Sequence, residues 1–319
     1  MIASLPLLDF CIIILTAVFD KIQYVFGINN GVIQNYPLRY TWPRRATYIL
    51  SLGTVQMIRF EQTMRKFPAI ILVLAILAFI ASGAHAQGKN EIIISAAASL
   101  RNAFEEIGAI YEKQTGVRAR FNYAASGVLQ QQIESGAPVD VFASAARQQM
   151  DSIEKKGLLL DGTRQNFTGN SLVLITPADS RLKLGSFQDL TDAKVGRIAI
   201  GNPKTVPAGQ YAQDLLTALG LWDKLRPRFI PAENVRQVLD YVSRDEVEAG
   251  LVYASDAANT EGKIKVVAAA PKGSHEDIIY PIAVIKDTKN SDAAKKFIEL
   301  TQSKTGRDIL AKYGFTNSN

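Results

Sequence analysis

Cysteine is nearly absent from this chain: Cys11 is the only one in 319 residues. Beyond it the sequence can form no disulfide, no thiolate nucleophile and no cysteine-based metal site. Histidine is almost as scarce, with His85 and His275 alone. His275 stands in the polar stretch KGSHED and reads as a solvated loop residue, so a multi-histidine zinc site or a histidine triad is hard to assemble. The signatures G-x-S-x-G, G-x-G-x-x-G and the P-loop are missing after residue 86. With them go the common nucleophile-elbow, dinucleotide and nucleotide readings. That part of the chain also holds no internal repeat and no low-complexity tract.

Long apolar runs are few. Met64, Arg65 and Lys66 precede the run Phe67 to Ala81, and Gly83, Ala84, His85 and Ala86 follow it. A positive start, an apolar stretch too short to span a bilayer and an A-x-A ending describe a secretory signal peptide over residues 64–86, cleaved after Ala86. No cysteine follows the run, which disfavours a lipid anchor. Residues 1–63 fit badly ahead of such a leader. The expectation is a start at Met64 or Met57, with 1–63 a non-native or untranslated extension; a membrane-anchored extension is the alternative.

Charge of one sign is also lacking once the leader is set aside. Of 36 Lys and Arg, 7 lie before Gln87, as do 3 of the 30 Asp and Glu, which leaves 29 against 27. The net charge of the mature part is therefore +2 rather than +6. With no basic stripe, a nucleic-acid or anionic-membrane partner loses its support.

What remains is an alternation of strand and helix patterns, which argues for an α/β architecture with mainly parallel strands. IIISAAASLR, residues 92–101, is a strand leading into a helix, with Ser99 at the turn. Val117 to Tyr123 alternates as a strand, and Ser126 and Gly127 open another helix. Ala137 to Ser144 reads as a third short strand. Ser171 to Thr176 and Ile278 to Ile285 are continuous apolar strands that suit the two crossovers of a two-lobed chain, with hinges near Ser171 and Ile282. Between them come strands at 197–200, 250–253 and 264–268 and helices at 207–219 and 234–242. Two closing helices over 291–313 pack back on the first lobe. The expected lobes are 87–168 with 277–319, and 169–276.

Four helix starts are candidate anion cradles: Ser99, Ser126, the turn Pro207-Ala208-Gly209 and the turn Asn234-Val235. A helix start leaves backbone N–H groups free, and proline at its first position has none to lose. Any one of them alone is an ordinary cap. Their joint occurrence across two lobes is the stronger signal. Tyr253 ends a strand and can present its hydroxyl to a cleft or pack as an aromatic. Asp140 and Asp256 could form an acid/base pair for a hydrolase or transferase, or serve as structural carboxylates; no spacing in the sequence brings them together.

The motifs AAASL (96–100), YAASGVLQQQIESGAPVDVFASA (123–145), GNSLV (169–173), VPAGQYA (206–212), PAENVRQ (231–237), GLVYASDA (250–257), YPIAV (280–284) and KYGF (312–315) follow one another in order. In them the chain resembles the periplasmic molybdate-binding proteins of ABC importers, from Glu91 to Phe315. The resemblance implies a two-lobed type II periplasmic-binding-protein fold, each lobe a mainly parallel sheet flanked by helices, with an oxyanion enclosed between the lobes. It also implies that Ser99 and Ser126 of the first lobe and Ala208, Val235 and Tyr253 of the second hold molybdate or tungstate. Molybdenum would be bound as its oxyanion, with no direct metal ligand, no catalytic residue and no cofactor. Some relatives carry a hydroxyl residue where this chain has Gly127; a backbone contact is still expected there. The implied partner is an ABC permease of the inner membrane, served by a monomer in the periplasm. A sulfate or thiosulfate receptor of the same fold is the alternative.

Overall fold

The computed structural model of the chain describes residues 91–317 apart from positions 259 and 261. The leader, its cleavage point and the extension before it lie outside those residues. Two five-stranded sheets organise the rest.

In the first sheet β1 (Glu91–Ala97) lies between β2 (Arg118–Ala124) and β3 (Val141–Ala143), parallel to both. Its Ile92 and Ile94 are fully buried, as β-branched residues of a central strand should be. Helices α1 (Arg101–Thr115), α2 (Ser126–Glu134) and α3 (Arg147–Lys155) follow these strands in turn. The far side of the sheet is β10 (Ile278–Val284) and then β4 (Gln165–Asn170), both pairing antiparallel.

The second sheet has the order β7 (Phe229–Ala232), β6 (Ile198–Gly201), β8 (Ala249–Tyr253), β5 (Leu172–Pro177), β9 (Ile264–Ala269). Around it run α4 (Pro207–Ala218), α5 (Trp222–Leu225), α6 (Val235–Ser243) and the short α7 (Ala254–Ala257). β6 is parallel to β7 and β8, whereas β5 is antiparallel to β8 and β9. Both sheets are therefore mixed. Pairing is parallel where a helix carries the chain back along the sheet. It turns antiparallel at β5 and β10, the strands that arrive directly from the other sheet.

The chain passes between sheets at Ser171, the single residue between β4 and β5, and returns through 270–277. Ile282 is not at a crossing: it sits within β10 opposite Ala143, in a strand buried along its whole length. The hinge signal read at Ile282 thus belongs to core packing, and the return crossing falls before Ile278.

The closing helices α8 (Ser291–Gln302) and α9 (Lys304–Lys312) lie against α1. Phe297 of α8 meets Phe104 and Tyr111 of α1 edge-on, each with ring centroids 5.5 Å apart. A second core joins Leu129 and Ile133 of α2 to Met150 and Ile153 of α3 and Phe142 of β3. Each such fully buried side chain contributes about 1.5–3 kcal/mol of transfer free energy, enough to make the sheet a rigid platform for its loops. Among the described residues no helix is long and apolar enough to cross a membrane.

Candidate functional site

The carboxyl ends of the parallel strands of both sheets open onto one small cavity. Ser99, Ser126, Ala208, Val235 and Tyr253 all line it, and each is buried. The remaining lining is alanine, Val206, Pro207 and Asn234, with no charged side chain. Its volume is about 200 Å³. Such a space excludes a sugar or peptide. A wider opening of about 1010 Å³ adjoins it and shares Ala124, Ala125 and Asn234 with it.

At each helix start beside the cavity some N–H groups are bonded elsewhere and others are left over. In α6 the Asn234 side chain accepts from the N–H of Arg236 and of Gln237, at 3.0 and 3.1 Å. The first helical N–H, that of Val235, is left over. In α4, Pro207 has no N–H and the N–H groups of Gly209 and Gln210 both bond the Val206 carbonyl, leaving Ala208. A Cβ on Gly209 would lie 2.0 Å from the Gly201 carbonyl oxygen, so glycine is what lets this helix start sit against the end of β6. In α2 the Gly127 N–H bonds the Thr205 carbonyl at 3.0 Å, leaving that of Ser126.

That last bond joins the two lobes. Gly127 therefore gives no backbone contact to the cavity, contrary to the reading from sequence: its N–H already has a partner across the cleft. The approach is close enough that a Cβ at 127 would meet the Thr205 carbonyl oxygen at 2.6 Å and its Cα at 2.9 Å.

The hydroxyls are polarised as donors. Ser126 Oγ accepts the Ala145 N–H at 2.9 Å, so its own hydrogen is free to point elsewhere. Ser99 Oγ lies 3.0 Å from the Tyr280 hydroxyl, which in turn accepts from the Asn170 amide at 3.2 Å. Asn170 and Tyr280 thus hold the Ser99 hydroxyl in place beside the cavity. Tyr253 reaches the Ala145 carbonyl at a long 3.4 Å, weak enough to exchange for a better acceptor. Burial pushes the Tyr253 phenol well above its ordinary range, aided by Tyr280 beside it, so it keeps its proton at neutral pH.

Neither aspartate weighed as a catalytic group lines the cavity. Asp140 accepts from the Ile93 N–H at 2.6 Å and from Thr288 and Asn290, tying β1 to the loop before α8. Asp256 is fully buried and paired with Arg236, Nε to Oδ1 2.7 Å. Burial raises its carboxyl to about 6 in spite of that arginine. His275 does lie in a loop, as its sequence suggests, but is half-buried against the Tyr211 ring, centroids 5.5 Å apart. Among the described residues no cluster of three His, Cys, Asp or Glu could hold a metal ion.

Three neighbours of the cavity carry no local mark in the sequence. Tyr280 sits in an apolar strand, Arg236 in the polar first turn of α6, and Asn170 at the end of a polar strand. Their roles come from the meeting of the lobes, which no spacing encodes.

Residues 92–316 match the sequence family described as bacterial extracellular solute-binding protein. The molybdate-binding protein ModA of Escherichia coli K12 is 39% identical over 246 residues, covering 76% of this chain and 95% of that protein. A solved substrate-binding domain from Clostridium difficile is 44% identical, with a TM-score of 0.58 over 72% of this chain and 100% of that one. The periplasmic molybdate-binding protein of Azotobacter vinelandii is 25% identical, with a TM-score of 0.65 over 72% and 100%.

Proposed function

The chain belongs to the bacterial extracellular solute-binding proteins, within the family of the molybdate-binding proteins, and we propose that it captures molybdate and tungstate for an ABC importer. The observation that carries this reading is which residues meet: Ser126, Ala208 and Val235, whose N–H groups are left over at helix starts, and the hydroxyl residues Ser99, Ser126 and Tyr253 line one small cavity. No carboxylate, lysine or arginine lines it.

A dianion enclosed without a counter-ion would be costly if nothing replaced its water. Here oriented dipoles replace it. Hydrogen bonds to a charged oxygen are worth about 1.5–3 kcal/mol each, and the starts of α2, α4 and α6 add their partial positive charge. Because every donor is neutral, the ion can still leave when the lobes part, as delivery to a permease requires.

A lining of donors also discriminates. Phosphate near neutral pH keeps a proton and needs an acceptor, whereas this lining offers more donors than acceptors and no carboxylate, so fully deprotonated oxyanions are preferred. Between molybdate or tungstate and the smaller sulfate, the names of the relatives favour the former. Closure is a hinge motion at Ser171 and 270–277. The protein acts as a monomer in the periplasm, after cleavage of the leader at Ala86, and hands its ion to a permease in the inner membrane.

Isothermal titration of the purified protein with molybdate, tungstate, sulfate and phosphate tests the proposal. Tight binding of the first two and none of phosphate is expected. Tight sulfate binding with weak molybdate binding would overturn it in favour of a sulfate receptor.

A further inference from the structure

Among the described residues Arg236 is the one charged side chain whose hydrogen bond links the two walls of the site. It stands at the second position of α6, next to Val235, and its side chain is mostly buried. Nε pairs with Asp256 at 2.7 Å inside the second lobe. Nη2 donates across the cleft to the carbonyl of Ser99 at 3.3 Å. Asp256 is fully buried and its charge holds one side of the guanidinium, while Nη2 on the other side reaches Ser99.

We propose that Arg236 is a closure-sensing residue: held by Asp256, it grips the Ser99 carbonyl only when the lobes are shut and so holds the lid on the bound oxyanion. This rests on the functional reading above and adds a residue to it. Ser99 contributes its hydroxyl to the ligand and its carbonyl to Arg236, so ligand capture and lobe closure share one residue. Opening withdraws the carbonyl from a donor that stays behind with its own lobe. The bond therefore acts on departure of the ion more than on its arrival. Asp256 matters in a second way, since it balances the guanidinium charge and keeps Arg236 from binding the anion too firmly to release it.

The test compares the full protein with Arg236→Lys and with the pair Arg236→Gln, Asp256→Asn, using molybdate as the probe. Lysine keeps the ion pair with Asp256 but cannot span Asp256 and Ser99 together. The double variant removes both charges with little change of volume, and its reference is Asp256→Asn alone. Stopped-flow competition should show the ion leaving about ten- to a hundredfold faster in Arg236→Lys than in the wild type and in the double variant than in Asp256→Asn. The association rate should change by less than about threefold, and ligand-free melting temperatures should match within each comparison. Unchanged dissociation in both comparisons, with wild-type binding intact, overturns the role of Arg236 alone. Equal loss in both rates with a lowered ligand-free melting temperature overturns it as well, by assigning Arg236 to fold maintenance. A wild-type protein that does not bind molybdate refutes this proposal together with the functional reading.

Discussion

Adding a single methyl group at Gly127 tests whether the lobes must come as close as the structure places them. Gly127 is the second residue of α2 and its backbone is ordinary right-handed helix, so no turn requires glycine there. Alanine in a helix is favoured over glycine by up to about 1 kcal/mol, so the ligand-free lobe should be stabilised or unaffected. The closed state fares otherwise. The new Cβ would lie 2.6 Å from the Thr205 carbonyl oxygen and 2.9 Å from its Cα, and these are backbone atoms that cannot swing aside. Forcing a methyl into such a contact costs about 1–3 kcal/mol, and parting the lobes also loses the Gly127 to Thr205 hydrogen bond, about 1 kcal/mol more. Gly127→Ala should therefore weaken oxyanion binding by roughly 2–4 kcal/mol, or about thirty- to a thousandfold. Titration calorimetry gives the affinity and thermal unfolding without ligand gives the stability. Wild-type affinity in the variant, or a fall in ligand-free stability, would refute the argument, because either would mean that the contact is not what limits closure.

Ser99→Ala should weaken binding by on the order of 1–3 kcal/mol by leaving a charged oxygen unpaired, measured by the same titration. Tyr280→Phe keeps the Ser99 hydroxyl but loses the group that orients it, so a smaller loss of about 0.5–1.5 kcal/mol is expected; a loss equal to that of Ser99→Ala would mean the tyrosine acts on the ligand itself. Asp256 has its carboxyl raised from 3.8 to about 6, so the folded protein binds that proton more tightly than the unfolded chain does. Wild type should accordingly gain stability relative to Asp256→Asn as pH falls from 7 to 4, by roughly 2 kcal/mol in denaturant titrations, with no further change above about pH 7. Mass spectrometry of secreted protein should find an N-terminus at Gln87, and a longer chain would argue for an uncleaved anchor.

Much of the fold was legible because it depends on local patterns. The Ile-rich run of β1, the buried run Ile278–Val284 and the helix starts at Ser126, Pro207 and Asn234 each leave a compositional mark where they occur. β4 leaves none: QNFTGN is polar with a single large apolar residue, and it is a strand because β10 supplies its partner. β7 is masked by Pro231, tolerated because β7 is the edge of its sheet. The candidate site divides in the same way. Serines and small residues at helix starts advertise a cradle, so Ser99, Ser126, Ala208 and Val235, with Tyr253 at a strand end, were candidates from sequence, and the structure puts all five around one cavity. Arg236, Tyr280 and the cross-cleft bond of Gly127 were not, since each acts through a residue far away in the chain.

The leftover N–H groups of Ser126, Ala208 and Val235 have an evolutionary corollary. A donor that belongs to the main chain is not encoded by the side chain at its position, so only substitution to proline deletes it. On the proposed function, drift at 208 or 235 can reshape the wall and retune which ion fits while the main-chain donors persist. Selectivity here can diverge by changing volume, without the site ever passing through an intermediate that has lost its grip on anions.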